Sequence, residues 1–435
     1  MECPNDTPLF DLSKNATINF LNTLANFQRL YAPIHGIVCV GLCVFGILTN
    51  IVHVIVLTRP TMRNSAVNCL LTAVAICDIG TMASYLIYIV HFVVQRRTTC
   101  TPTFTYGWMQ FLLWHVMLSI TLHTTSLWLA VAMAFIRRMT LRVTRLNSSW
   151  QRPQFAWKLC TMIYVCVFTM SIPSVFVHEI SVYEASRWEP GARCASFYPA
   201  NYTQTIYTFT VSKEATANNC SIFKLNIWMI GIVFKVIPCI LLVILSLGLV
   251  NKIRDAERNR RKLTNVSMNN LSSSDVRQPM SKKKKWKSDR TTTMLVAILS
   301  VFLITELPQG IISILCAIYT ADVHKFLYYY LGDILDLLSL LNSSVNFVLY
   351  CVMSSRYRQT FWMVLLHIGP HSMCVNKKTP PTPSNFNFTQ LQLQRKSTNN
   401  FGSKEYAPLS TECDERREGY VSAGTDDSHS RVQRL

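Results

Sequence analysis

Seven apolar runs divide the chain: Ala32–Thr58, Ala66–Val94, Tyr106–Met139, Phe155–His178, Phe223–Val250, Thr291–Tyr319 and Phe326–Met353. Each holds roughly 20 residues or more, the length a helix needs to cross a hydrocarbon core about 30 Å thick. The pattern predicts an all-α fold, a seven-transmembrane helix bundle. After the seventh run, SSRYRQTFWMVLLHIG sets Arg356 and Arg358 ahead of clustered apolar residues, which predicts a short amphipathic eighth helix lying on the membrane surface. Four regions follow: a polar tail over 1–31, the seven-helix domain over 32–353, the amphipathic helix over 354–369, and a cytoplasmic tail over 370–435. The last is rich in Ser, Thr and Pro and is expected to be disordered. About 30 polar residues precede the first run, so that run reads as an uncleaved anchor rather than a secretion signal.

Charge orients the bundle. Of 435 residues, 50% are hydrophobic and only 15% charged, yet the formal net charge is +19. The basic residues concentrate in alternate connections. Arg59 and Arg63 follow span one; Arg137, Arg138, Arg142, Arg145, Arg152 and Lys158 lie around the third connection; thirteen Lys and Arg stand between Lys252 and Arg290. The other connections carry only Arg96 and Arg97, then Arg187, Arg193, Lys213 and Lys224, then Lys325. The positive-inside rule makes the odd connections cytoplasmic and puts the amino terminus outside a multi-pass plasma-membrane protein. Glycosylation triplets at Asn5, Asn15, Asn201 and Asn219 then fall outside, although the same triplet recurs at Asn147, Asn265 and Asn270 on the cytoplasmic side. Nine of fifteen cysteines sit within the spans, where they pack as small hydrophobes. Cys3, Cys100, Cys194 and Cys220 fall on the outer side, and sequence alone does not choose among their three pairings. Cys374, just past the amphipathic helix, is a candidate for palmitoylation or remains an unmodified thiol.

The chemistry lies in polar residues placed within the apolar runs. Phe302–Gly310 reads FLITELPQG, with Glu306 two residues before Pro308. A membrane-depth carboxylate needs a partner or a wet cavity, and a proline there breaks the helix ladder. Asp78 is the only acid of span two. In span seven Asn342, Asn346 and Tyr350 recur every four residues on one face, and Asp78 and Asn50 are expected as their partners. His123 reads equally as a packed core histidine and as a ligand contact; Lys235 in span five either pairs with Glu306 or snorkels outward. KKKKWK at Lys282–Lys287 is either an anionic-lipid contact or a dock for a cytosolic protein. No phosphate-binding glycine loop, nucleophile elbow or zinc-ligand cluster occurs, so no enzyme activity, cofactor or metal is expected. No nucleic-acid partner is expected either.

Taken together, Asn50, Asp78, Arg137, Pro238, Pro308 and the NFVLY of Asn346–Tyr350 resemble the landmarks of a rhodopsin-family (class A) G-protein-coupled receptor over Ala32–Gly369. The departures are as informative. Ile136 replaces the acid that normally precedes Arg137, Phe347 replaces the span-seven proline, and Glu306 replaces an aromatic residue. TELPQG, NFVLY and HTTSLWLAVAMAFIRR (His123–Arg138) resemble the invertebrate myosuppressin and FMRFamide-like peptide receptors. This resemblance implies an amidated neuropeptide ligand ending in Arg-Phe-amide and a heterotrimeric G protein, of the inhibitory class. Receptor kinase and arrestin are implied as partners of the tail.

Within that resemblance each residue takes an expected role. Glu306, Asp333, Asp336, His123 and Gln309 would form the ligand site, the acids taking the peptide's guanidinium bidentately and Gln309 its amide. Asn50, Asp78, Ser126, Pro308, Asn342, Asn346 and Tyr350 would form the activation switch. Asp78, Ser126, Asn342 and Asn346 resemble the family's sodium pocket, and Arg137 and Arg138 would meet the G protein. Leu112 stands where the family keeps a span-three cysteine, so Cys100 with Cys194 or Cys220 is the expected substitute for its usual disulfide. Two other readings compete. A transporter or channel would use the buried acids as an ion path, against which the odd span number and lack of repeats count. A receptor for another peptide or a small amine also remains, although span three has no acid in its outer half.

Overall fold

The computed structural model describes residues 8–97, 99–142, 149–270 and 286–368. Asn5, Cys374 and the 370–435 tail, with its expected kinase and arrestin contacts, lie outside them. Among the described residues, seven helical segments are long and apolar enough to cross a membrane. They comprise α1 (Asn15–Leu57), α2 (Ala66–Ile89), α3 (Tyr106–Arg142) and α4 (Pro153–Val177). The fifth span joins α5 (Lys213–Trp228) to α6 (Ile237–Asn270) through a wide, π-helical stretch, Met229–Val236. The sixth is α7 (Trp286–Ile318); the seventh runs from α8 (Thr320–Asp322) through the wide turns Val323–Tyr328 into α9 (Tyr329–Met353). The eighth helix, α10 (Ser355–Ile368), begins after a single extended residue, Ser354.

Local chemistry sets the boundaries. Pro153 opens α4 at a position where the missing N–H costs nothing. Pro33, Pro173 and Pro308 lie inside their helices, each removing one backbone rung. The first helix starts at Asn15, not Ala32. The tail before the membrane run is helical because it has something to pack on: Leu9, Phe10 and Leu24 lie against Cys316, Val323 and Leu327. The Asp322 carboxylate accepts hydrogen bonds from the backbone N–H groups of Leu9 (2.8 Å) and Phe10 (3.1 Å).

The polar connection after α4 also holds structure that its composition hid. β1 (His178–Val182) pairs antiparallel with β2 (Tyr207–Val211), His178 opposite Val211 and Val182 opposite Tyr207. Alternating Thr with aromatic and branched residues in YTFTV is a strand signal. Cys100 and Cys194 form a disulfide that ties this hairpin's long loop to the segment before α3. Cys220 is disulfide-bonded as well, but not to Cys100. Tyr198 adds a 2.6 Å hydrogen bond to the Cys100 carbonyl, and the Tyr207 N–H bonds Phe104 O at 2.9 Å.

In lipid, helices associate through close packing rather than water exclusion. Leu70, Val74 and Cys77 of α2 interlock with Leu129, Ala132 and Ile136 of α3 and with Cys160 and Ile163 of α4. Val56 and Leu57 meet Tyr350, Tyr357 and Val364, fixing α10 to α1 and α9. Gly46 is where α1 comes closest to its neighbours: a Cβ there would run into Met82 of α2 and lie 2.8 Å from Ser344 Oγ of α9. Gly46→Val is therefore expected to destabilise the bundle by about 1–3 kcal/mol, read as a lower melting temperature of the detergent-solubilised protein and reduced surface expression.

Candidate functional site

Glu306 of α7 is wholly buried, at 0% exposure, and side chains from three other spans converge on it. Lys235 Nζ donates to Oε2 at 2.9 Å from the wide stretch of the fifth span, which turns this side chain inward. His123 Nε2 of α3 lies 2.9 Å from Oε2 and 3.1 Å from Oε1. Asn342 Nδ2 of α9 donates to Oε1 at 3.1 Å. Lys235 Nζ also donates to Gln309 Oε1 at 2.8 Å, while Gln309 Nε2 donates to Leu335 O (2.7 Å) and Ser339 Oγ (2.6 Å). Lys235 therefore pairs with Glu306 rather than snorkelling, and His123 bonds the same acid. Gln309 is committed within the bundle at both ends of its amide.

One turn along α9, a second polar layer surrounds Asp78. Ser126 Oγ donates to Oδ1 and Asn346 Nδ2 to Oδ2, both at 3.3 Å. Two expected partners are placed elsewhere. Asn342 turns to Glu306, because the carboxylate of α7 lies at its depth. Asn50 Nδ2 donates instead to Gly46 O (2.9 Å) and Ser343 O (3.0 Å), since the close α1–α9 approach puts that carbonyl within its reach. Of the four residues expected to hold a sodium ion, Ser126 and Asn346 donate to Asp78 and Asn342 donates to Glu306.

Toward the hairpin end, Asp336 Oδ2 accepts from Tyr85 OH at 3.2 Å, and Asp333 Oδ1 lies 3.9 Å from His35 Nε2. Tyr85 OH also reaches His35 Nε2 (3.3 Å), whose Nδ1 meets Tyr31 OH at 3.0 Å. Among the described residues neither acid has a Lys or Arg ion-pair partner. Beside them stands an aromatic wall from the second span, which continues past α2 to Val94, and from α3. Tyr88 stacks on His115 with centroids 5.1 Å apart, Phe111 stacks on His115 at 5.9 Å, and His91 stacks on Trp108 at 3.5 Å. The tyrosines and His35 were not singled out by sequence; an acid lacking a counter-ion was the signal that could have led to them. Asn15, Asn201 and Asn219 are exposed at this same end.

At the α10 end, Arg137 Nη2 donates to Tyr350 OH at 2.6 Å. A cavity of about 70 Å³ opens beside it, lined by Ser126, Arg137, Leu242, Ser246, Asn342 and Asn346 among others. The Arg138 guanidinium lies over Gly248 of α6, where a Cβ would clash with it. Behind Tyr350, His53 Nδ1 and Tyr357 OH are 2.8 Å apart, which pins α10 to α1.

Comparison with known proteins bears on this arrangement directly. Residues 38–367 match the family described as the serpentine type 7TM GPCR chemoreceptor Srw. The chain is 33% identical to the G-protein coupled receptor dmsr-1 of Caenorhabditis elegans over 365 residues, 79% of this chain and 70% of that protein. It is 24% identical to the sex peptide receptor of Drosophila melanogaster, covering 80% of this chain and 76% of the relative. It is also 24% identical to the Drosophila FMRFamide receptor, covering 79% and 56%. With seven membrane-crossing segments, polar layers through their centre and a match over most of its length, the chain belongs to the serpentine 7TM G-protein-coupled receptors of the Srw family, and it is a multi-pass membrane receptor rather than an enzyme.

Proposed function

We propose that this protein is a cell-surface receptor for an amidated neuropeptide ending in Arg-Phe-amide, which binds at the hairpin end and drives a heterotrimeric G protein of the inhibitory class at the α10 end. The amino terminus is then extracellular, as the charge asymmetry of the connections supports. Exposure of Asn15, Asn201 and Asn219 suits glycosylation on that side. The names of two relatives, the sex peptide receptor and the FMRFamide receptor, support a peptide ligand.

The observation that carries the reading is the pair Asp333 and Asp336. Glu306 already has an internal cation in Lys235, whereas among the described residues these two acids have no Lys or Arg ion pair and contact His35 and Tyr85. A guanidinium entering from the hairpin end would complete them with charge-assisted hydrogen bonds. The Tyr88–His115–Phe111 stack offers a surface for the terminal phenylalanine. Three residues apart at the start of α9, the acids lie on one face, so a single side chain can address both.

A screen of amidated peptides on cells expressing the receptor, read as nucleotide exchange on a co-expressed G protein, tests the ligand class. Peptides ending in Arg-Phe-amide are expected to activate, and their free-acid forms to lose potency. Asp336→Asn and Asp333→Asn should each raise the half-maximal concentration roughly ten- to hundredfold, the loss expected for a charged hydrogen bond. Unchanged potency at normal surface expression would remove both acids from the site, and activation by small amines alone would replace the peptide reading.

Arg137, bonded to a neutral phenol beside an open cavity, supplies the cation for the G protein. Arg137→Ala is expected to keep peptide binding within about threefold while abolishing nucleotide exchange, because the side chain is remote from the hairpin end and stands at the opposite face. Full signalling by this variant, measured beside radiolabelled peptide binding, would refute the assignment.

A further inference from the structure

We infer that Lys235 is a built-in latch: its ammonium is the resting counter-ion of Glu306 and staples the sixth span across Pro308, and activation proceeds by releasing it. The inference rests on the receptor reading above but not on the chemistry of the ligand.

The geometry carries it. Pro308 has no N–H, so the carbonyl of Ile304 loses its backbone partner and α7 lacks one rung at that point. The Lys235 ammonium bonds the residue two before the proline, Glu306 (2.9 Å), and the residue one after it, Gln309 (2.8 Å). One cation thus spans the gap where the helix is most easily bent. A lysine suits this role, because a compact charge with three donors can serve two oxygens in different directions, whereas the flat fork of arginine addresses one carboxylate. It arrives there from Met229–Val236, a π-helical stretch of the kind that recurs at functional positions and that re-aims a side chain relative to a regular helix.

The same staple is connected to the hairpin-end acids. Gln309 holds Leu335 O and Ser339 Oγ, which flank Asp336 on the first turns of α9. A group that draws Asp336 toward it shifts the turn to which Gln309 is bonded, and Gln309 is one of the two acceptors of Lys235. On the other side Glu306 is held by His123 and Asn342, so once the ammonium leaves, the carboxylate keeps two hydrogen-bond partners. The cluster therefore has two arrangements, one with Lys235 bound and one with Glu306 held by α3 and α9 alone, and the hinge is stapled in only the first.

The test is Lys235→Gln, surface-labelled and assayed for peptide-free nucleotide exchange. The expected result is constitutive exchange roughly fivefold or more above the parent protein. If this variant fails to reach the surface, Lys235→Met combined with Glu306→Gln removes the latch without leaving a buried unpaired charge, and the same elevation is expected. A second readout needs no G protein. Electron–electron distance measurements between spin labels on the third and sixth spans at the α10 end should shift to longer separations in the double variant. Basal exchange and label separations equal to those of the parent, in a variant that reaches the surface, would overturn the latch. Elevated exchange together with unchanged potency in Asp336→Asn, or with no response to any peptide, would uphold the latch while overturning the ligand reading separately.

Discussion

A carboxylate with no exposed surface, at the depth of a membrane span, dictates the centre of this molecule. Ionised Glu306 is tolerable only if its charge is matched nearby, and four side chains contribute to that match: Lys235 a charge, His123 and Asn342 hydrogen bonds, Gln309 a second acceptor that keeps the lysine in place. Removing one member of such a pair costs about 3–5 kcal/mol, because the remaining charge is stranded. The cluster is therefore less a stabiliser than a constraint on registry. It fixes how far the third, fifth, sixth and seventh spans sit along one another, and every other contact forms within that setting.

The second polar layer, around Asp78, obeys the same logic with weaker partners. Hydroxyl and amide groups at 3.3 Å satisfy the acid without a cation. The two layers share α9, where Asn342 serves Glu306 and Asn346, one turn on, serves Asp78. Motion of that helix along its axis would strain both sets of bonds together. This gives the interior a route from the hairpin end to the Arg137 cavity that consists of named bonds rather than mere proximity.

Much of this was legible in the sequence, and the failures share one cause. Apolar runs fix the spans because lipid leaves no alternative to a helix with a satisfied backbone. Intramembrane Glu306, Lys235, Asp78 and Asn346 announced themselves because polar groups at that depth are costly. Composition did not announce pairings that depend on relative depth: Asn342 and Asn346 look equivalent on one helical face, and only the packing of α7 against α9 assigns them to different acids. The helical extension from Asn15 and the hairpin of His178–Val211 lie where water is available, so periodicity there is weak and the deciding contacts, Phe10 on Phe326 and the Cys100–Cys194 bond, are distant in sequence. Tyr85 and His35 were missed for the opposite reason, since aromatic residues within an apolar run read as ordinary packing until an acid is placed against them.

The substitution of Ile136 for an acid beside Arg137 takes on meaning in this light. An arginine at the foot of α3 without an acid beside it in sequence donates to the Tyr350 phenol, a charge-assisted hydrogen bond but not an ion pair. Among the described residues Arg137 then has no ion pair at the α10 end. Restraint is found instead at the hinge, where a full ion pair brackets Pro308. Two departures, an isoleucine at one end and an acid in mid-span, are physically complementary: weakening the first hold is compatible with a quiet receptor only if the bundle is held elsewhere, and Lys235 with Glu306 is the charged pair placed to do it.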